Sequence, residues 1–199
     1  MFLACGGDQP VDKAETEVKN GVIFYKDQEF TGNMVEKYED QTLKNEWQVK
    51  DGLSHGISRS YYPKGQVNEV IEWKKGLRDG TYEKFFDNGG QEIKGTYTQG
   101  KKDGYFEIFY LSGELFRKGV YENGLLQGVV EEYFENGNMR KSSNYKNDIM
   151  DGPYEEHHEN GALKTMGYYT GGRRDGKFEY YSESGDLIST QNFENGIPK

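Results

Sequence analysis

The sequence predicts an all-β chain: an elongated, single antiparallel sheet built from seven tandem 24-residue β-hairpin repeats. Three observations predict it. Glycines return every 24 residues, at Gly32, Gly56, Gly80, Gly104, Gly128, Gly152 and Gly176, without one insertion. Aromatic residues fall in phase between them. No window of useful length avoids glycine while showing the 3.6-residue period of a helix.

Composition agrees with a thin sheet. Only 33% of the 199 residues are hydrophobic, and 15% of the chain is aromatic, with 16 Tyr and 11 Phe. Rings bury a large area each while keeping a polar tip wet. A mean hydropathy of -0.98 and a net charge of -9 would fit a disordered chain, but disordered chains are poor in aromatics. The acidic balance opposes nucleic-acid binding, which needs clustered Lys and Arg. It also opposes electrostatic attachment to anionic lipid.

Residues 1–20 stand outside the repeat. Phe2-Leu3-Ala4-Cys5-Gly6-Gly7 looks like the end of a bacterial lipoprotein signal, in which a small residue precedes the cysteine that becomes acylated. The positive region and most of the apolar region of such a signal are missing from this stretch. Cys5 is the candidate lipidation site, and as the one cysteine of the chain it forms no internal disulfide. Asp8 to Lys19 reads as a polar tether.

The array covers residues 21–199. A half-repeat at 21–31, with Val22-Ile23-Phe24-Tyr25, matches the second half of a unit and is expected to cap the first edge. Each full repeat then starts at one of the seven leading glycines. Nine residues on comes a second series: Gly65, Gly89, Gly113, Gly137, Gly161 and Gly185, with Gln41 as the exception. Twenty residues on comes a third: Gly52, Gly76, Gly100, Gly124, Gly172 and Gly196, with Asp148 as the exception. Asn-Gly between β-prone runs is a strong hairpin signal, because both residues tolerate positive φ. Aromatic pairs five and six residues after the leading glycine (Phe85-Phe86, Phe109-Tyr110, Tyr133-Phe134) precede the first turn. A ring seventeen residues after it, from Trp73 to Phe193, marks the second strand. One hairpin cannot bury enough to fold alone, so stability must come from neighbouring units.

Units such as Gly128-Val-Val-Glu-Glu-Tyr-Phe-Glu-Asn-Gly and Asn144-Tyr-Lys-Asn-Asp-Ile-Met-Asp-Gly152 resemble the bacterial variant of the MORN repeat. The resemblance runs over residues 21 to 199, and the first repeat departs from it at Lys37-Tyr38 and Gln41. It implies a hairpin array that acts as a scaffold. Eukaryotic MORN arrays dimerise and have proposed lipid binding, some bacterial members are labelled as antitoxin or immunity components, and others look like exported lipoproteins.

Three groups of residues are candidates for chemistry. Glu83, Glu107, Glu131, Glu155 and Glu179 stand three residues after successive leading glycines. In a strand they share a face with Phe85, Phe109, Tyr133, His157 and Tyr181. Such a face could hold a basic protein segment by charge and cation–π contact, or could be a solvated face balanced by Lys94, Lys118 and Lys141 on paired strands. His157 and His158 point to opposite faces, so they do not make a metal site. No nucleophile–base arrangement, phosphate loop or CxxC motif is present, and the repeating carboxylates do not converge in a cleft. Lys101-Lys102 and Arg173-Arg174, in turns, fall short of a polybasic lipid site.

These readings converge on a non-enzymatic, protein-binding repeat scaffold with no cofactor and no metal, exported and anchored in the cell envelope through Cys5. Its partner is a protein, such as a toxin or an envelope protein, and self-association through an edge strand is open to it. Two other readings are a cytoplasmic antitoxin or immunity protein that masks a toxin, and a carbohydrate-binding surface protein whose rings stack on sugars.

Overall fold

The computed structural model describes residues 9–199; Cys5 and its lipobox-like surroundings lie outside them. The described residues are all-β, with a single 3-10 turn. The chain divides into two compact units, residues 1–89 and 90–199.

In the first unit, β1 (Val11–Asp12) leads through the 3-10 turn Lys13–Glu15 to β2 (Thr16–Lys19), β3 (Val22–Tyr25) and β4 (Gln28–Glu29). Hairpin strands follow: β5 (Gly32–Lys37), β6 (Leu43–Lys50), β7 (Leu53–Ser54), β8 (Gly56–Tyr61), β9 (Val67–Lys74) and β10 (Leu77–Phe85). Their pairings with one another are antiparallel.

Two expectations for the start of the chain need correction. Most of the segment read as a tether is ordered structure. Val11 and Asp12 pair in parallel with Met34 and Val35 of β5, and β2 to β4 form a separate three-stranded sheet. The strand covering β5 is therefore β1, and not the half-repeat at 21–31. The physical reason is apolar burial. Phe30, Met34 and Val49 form a buried cluster that Val11, Ile23, Tyr25 and Trp47 complete. The half-repeat is tied to the array by turn bonds, with Ile23 N donating to Gly52 O at 2.8 Å and Gly52 N to Phe30 O at 2.8 Å.

The second unit is more regular. Its strands are β11 (Gln91–Thr98), β12 (Lys101–Phe109), β13 (Leu115–Glu122), β14 (Leu125–Tyr133), β15 (Met139–Lys146), β16 (Ile149–His157), β17 (Leu163–Thr170), β18 (Arg173–Tyr181), β19 (Leu187–Glu194) and β20 (Ile197–Pro198). Each pairs antiparallel with the next.

The repeating glycines answer to backbone geometry. All seven leading glycines have positive φ, and each from Gly80 on sits where the register shifts against the preceding strand, as between Gly95↔Phe106 and Tyr97↔Lys102. The two exceptions in the other series keep the same conformation without glycine: Gln41 has φ 70° and Asp148 φ 67°. The turn requires left-handed backbone there, and a non-glycine residue adopts it at a cost.

The core is one row of side chains on one face, called here the ring face. Two residues after the leading glycines stand Phe106, Val130, Tyr154 and Phe178, and each has a small neighbour on at least one adjoining strand. Phe106 lies between Gly95 and Gly119, and Val130 faces Ser143. Tyr154 lies between Ser143 and Gly167. Val130 and Phe178 are fully buried. The rings seventeen residues after the leading glycine close over this row edge-to-face: Phe106 with Tyr97 and Tyr121 at 5.6 and 5.2 Å, and Phe178 with Tyr169 and Phe193 at 5.7 and 5.2 Å. Each such pair adds ~0.5–1.5 kcal/mol beyond area burial.

A second link joins successive repeats. Where it is Tyr or His, the side chain six residues after one leading glycine donates to a backbone carbonyl of the next repeat. Tyr38 Oη reaches Tyr61 O at 2.8 Å, Tyr62 Oη reaches Phe85 O at 2.9 Å and Tyr110 Oη reaches Tyr133 O at 2.8 Å. His158 makes the same bond, Nε2 to Tyr181 O at 3.0 Å. A carbonyl only accepts, so Nε2 carries the proton.

The small partners are as necessary as the rings. A Cβ at Gly167 would stand 2.6 Å from three atoms of the Phe178 ring, and no left-handed φ constrains Gly167. Gly167→Ala is therefore expected to destabilise by about 1–3 kcal/mol through overpacking alone. Phe178→Ala should cost about 3–5 kcal/mol through the cavity it leaves. Urea unfolding of the two variants checks both figures, and an unchanged midpoint for Gly167→Ala would show that the ring is free to move.

Candidate binding face

The other face of each hairpin, the outer face, carries the residues one, three and five after the leading glycine, because alternate strand residues point the same way. In the second unit this places Glu107, Glu131, Glu155 and Glu179 in one row across the strands. The register sets their neighbours: Lys94 opposite Glu107, and Lys118 opposite both Glu107 and Glu131. Further along, Ser142 lies between Glu131 and Glu155, and Met166 between Glu155 and Glu179. In the first unit, Glu83 is opposite Val70, and Phe85 ends β10.

The carboxylates differ in their surroundings. Lys118 Nζ meets Glu131 Oε2 at 2.6 Å and lies over the Tyr133 ring at 5.6 Å, while Tyr133 Oη donates to Glu131 at 3.0 Å. The hydrogen bond from Lys118 is the main cause holding the Glu131 carboxyl below its ordinary range, and the same bond raises the Lys118 ammonium. Glu179 repeats the pattern with Lys177 at 2.5 Å and Tyr181 Oη at 3.2 Å. Glu107 and Glu155 have no ion pair among the described residues. Phe109 stands two residues beyond Glu107, in the place that Tyr133 and Tyr181 take.

Lys141 does not belong to this row. It lies opposite Glu132 and Glu156 on the ring face, with Nζ 3.0 Å from Glu132. Lys94 and Lys118 stand fourteen residues after a leading glycine, whereas Lys141 stands thirteen after Gly128 and so shares the face of Ser143, two residues on.

The basic turns also change meaning. Lys102 Nζ is folded over the Phe106 and Tyr121 rings at 4.8 and 4.9 Å. Arg174 covers Phe178 and Phe193 at 5.0 and 5.3 Å and bonds Tyr180 Oη at 3.2 Å. These cations close the ring face and are engaged with it; only Lys101 and Arg173 remain exposed in the turns. Sequence reading missed this role and the buried row it serves. The signal that could have found it is a fourth series of small residues, Gly95, Gly119, Ser143 and Gly167, at the same 24-residue spacing.

Other chemistry is sparse. No group of three or more His, Cys, Asp or Glu is placed to hold a metal among the described residues. His157 and His158 have separate surroundings: His158 staples the next repeat, and His157 Nδ1 is buried without a partner. In the first unit, a hollow of 230 Å³ is lined by Trp47, Glu46, Arg59, Gln48, Ile57 and neighbouring residues. Its polar groups are occupied with one another, Glu46 accepting from Arg59 at 3.0 Å and from Tyr61 Oη at 2.8 Å. Burial first, then this bond, pushes the Tyr61 hydroxyl up to about 12, so it donates and does not ionise. No helix among the described residues is long and apolar enough to cross a membrane.

Regular hairpins, glycine-set bulges and repeat-to-repeat staples together define a tandem β-hairpin repeat protein. Three stretches, residues 54–75, 126–147 and 174–195, match the family described as MORN repeat variant. All three begin two residues before a leading glycine, so the match keeps the phase of the array. No curated protein matches the chain.

The paired carboxylates give a pH signature. The folded pKa of Glu131 is depressed, so its stabilising contribution is complete above the ordinary carboxylate range and is lost as pH falls through the lowered value. Lys118 is partly exposed, which limits the pair to roughly 0.5–1 kcal/mol. Glu131→Gln is expected to lower the melting temperature at neutral pH and to converge with the parent as the pH falls below the carboxylate range. A difference that persists unchanged in acid would assign the loss to packing.

Proposed function

We propose that this chain is a non-enzymatic, protein-binding repeat scaffold that presents the outer face of its hairpins to a partner. One observation carries the reading. In the second unit, Tyr105, Val129 and Tyr168 are 71, 54 and 47% exposed on strands in the middle of the sheet. An exposed apolar group of this kind rimmed by polar residues marks an interaction surface more often than a solvated one. The match to MORN repeat variants at three repeats supports a scaffold as the class. The carboxylates and rings of the outer face, Glu107, Phe109, Glu131, Tyr133, Glu155, Glu179 and Tyr181, border the same region. Export and anchorage through acylation of Cys5 belong to the proposal and rest on the lipobox-like residues alone.

The experiment places a photo-crosslinking amino acid at Tyr105, at Tyr168 and, as a control, at the exposed turn residue Lys64 of the first unit. Expression in the native host should give a discrete protein adduct from positions 105 and 168 and none from 64. An intact mass of the recovered chain reads acylation of Cys5 in the same sample. Absence of any protein adduct at both outer-face positions would overturn the scaffold reading.

A further inference from the structure

The apolar residues of the outer face lie at one level of the second unit, interrupted once by Asn144 of β15, which stands between Val129 and Pro153 and turns its amide to the Asp151 carbonyl. Tyr105 is opposite Val120, Val129 follows on β14, and Pro153 is opposite Tyr168. From β12 to β17 the stripe crosses five strand spacings, about 24 Å. It is polar at both ends, with Thr96 on β11 and the pair Lys177↔Asn192 on β18 and β19.

Two of these residues occupy a position that otherwise has a structural task. Sixteen residues after the leading glycine, a polar side chain elsewhere bonds the backbone at the next bulge. Gln48 accepts from Ile57 N at 3.0 Å and Glu72 from Thr81 N at 2.8 Å. Thr96 donates to Asp103 O, and Asn144 donates to Asp151 O at 2.6 Å. Val120 and Tyr168 replace that polar group with an apolar one, giving up the bond. A purely structural position has no reason to change in this way.

The neighbouring row sets the charge of what fits. Two residues along each strand, about 6.6 Å away, stand Glu107, Glu131, Glu155 and Glu179. Lys118 and Lys177 are drawn into ion pairs with Glu131 and Glu179, which leaves Glu107 and Glu155 to an incoming cation. Met166, beside Glu155 and partly exposed, extends the apolar area. The chain as a whole carries a net charge of -9. An anionic membrane would be repelled, and a second copy docked by the same face would set carboxylates against carboxylates.

We propose that the stripe Tyr105–Val120–Val129–Pro153–Tyr168 seats a cationic amphipathic segment of a partner protein. The partner's apolar side chains lie on the stripe, and its Lys or Arg side chains lie over Glu107 and Glu155. This inference rests on the scaffold reading and names the chemistry of the partner. The sheet's own backbone groups are paired within it, so recognition is by side chains.

The probe is a fluorescent Leu/Lys amphipathic peptide of about 16 residues, which as a helix matches the length of the stripe. Titrated into the full chain, it is expected to bind with salt-sensitive affinity, and a Leu/Glu peptide of the same pattern is not. The double variant Val120→Thr/Tyr168→Asn should weaken binding about tenfold. Its melting temperature should be unchanged or higher, because Thr and Asn are the side chains that bond the bulge in other repeats. Glu107→Gln/Glu155→Gln should weaken binding severalfold and flatten its salt dependence. Equal binding by the parent and the Val120→Thr/Tyr168→Asn variant overturns the proposal. So does flotation of the chain with phosphatidylserine vesicles without peptide binding. Self-association that the same variant abolishes, again without peptide binding, overturns it in favour of a second copy. Protein adducts at positions 105 and 168 without peptide binding would sink the partner's chemistry and keep the scaffold; loss of both would sink both.

Discussion

The hairpins depend on one packing relation, a large side chain set directly against a small one on the neighbouring strand. Phe106 between Gly95 and Gly119, and Phe178 over Gly167, are its clearest cases. A single sheet has no second layer to bury a ring, so the ring must lie down along the sheet. That requires a neighbouring strand with no Cβ or a short side chain on at least one side, as Gly167 provides for Phe178. The rings seventeen residues after each leading glycine then fill the spaces between, and Lys102 and Arg174 cover the outside by cation–π contact. Aromatic residues and glycine thus become two halves of one device, which explains a chain with 27 Gly, 27 Tyr and Phe together, and few aliphatics.

That device frees the opposite face. Because burial is completed on the ring face, the outer face is left with cross-strand charge pairs, worth a few tenths of a kcal/mol to about 1 each, and with the polar side chains that bond the bulges. The positions sixteen residues after the leading glycine show the division of labour. Gln48, Glu72, Thr96 and Asn144 bond the bulge, whereas Val120 and Tyr168 at the same position are apolar and make no such bond. The period supplies the frame, and departures from it at particular repeats carry the individuality of the protein.

Much of this was legible in the residues. The all-β class, the hairpins, the phase of the seven repeats and the shared face of Glu107, Glu131, Glu155 and Glu179 followed from spacing. Less visible was the buried row two residues after each leading glycine. Its occupants run from Met34 and Ser58 to Val130 and Phe178, too varied to stand out as one residue type. Residues 11–19 were read as a tether because they are polar, yet Val11 packs on the Phe30–Met34–Val49 cluster as β1 pairs with β5, and Lys13 adds an ion pair to Glu36. Lys141 was assigned to the wrong carboxylates, because it stands one residue out of phase with Lys94 and Lys118 and so falls on the face of Ser143.

By itself the sequence determined what is local: where the chain must turn, since only glycine, Asn and a few tolerant residues accept left-handed backbone, and which stretches between turns are extended. Only the tertiary structure decided what is relational. Which carboxylate meets a lysine, which cation lies on a ring and which apolar residues stay exposed all depend on the register between strands. Two bulges per repeat set that register, and each is a compromise between neighbouring strands that neither strand records alone.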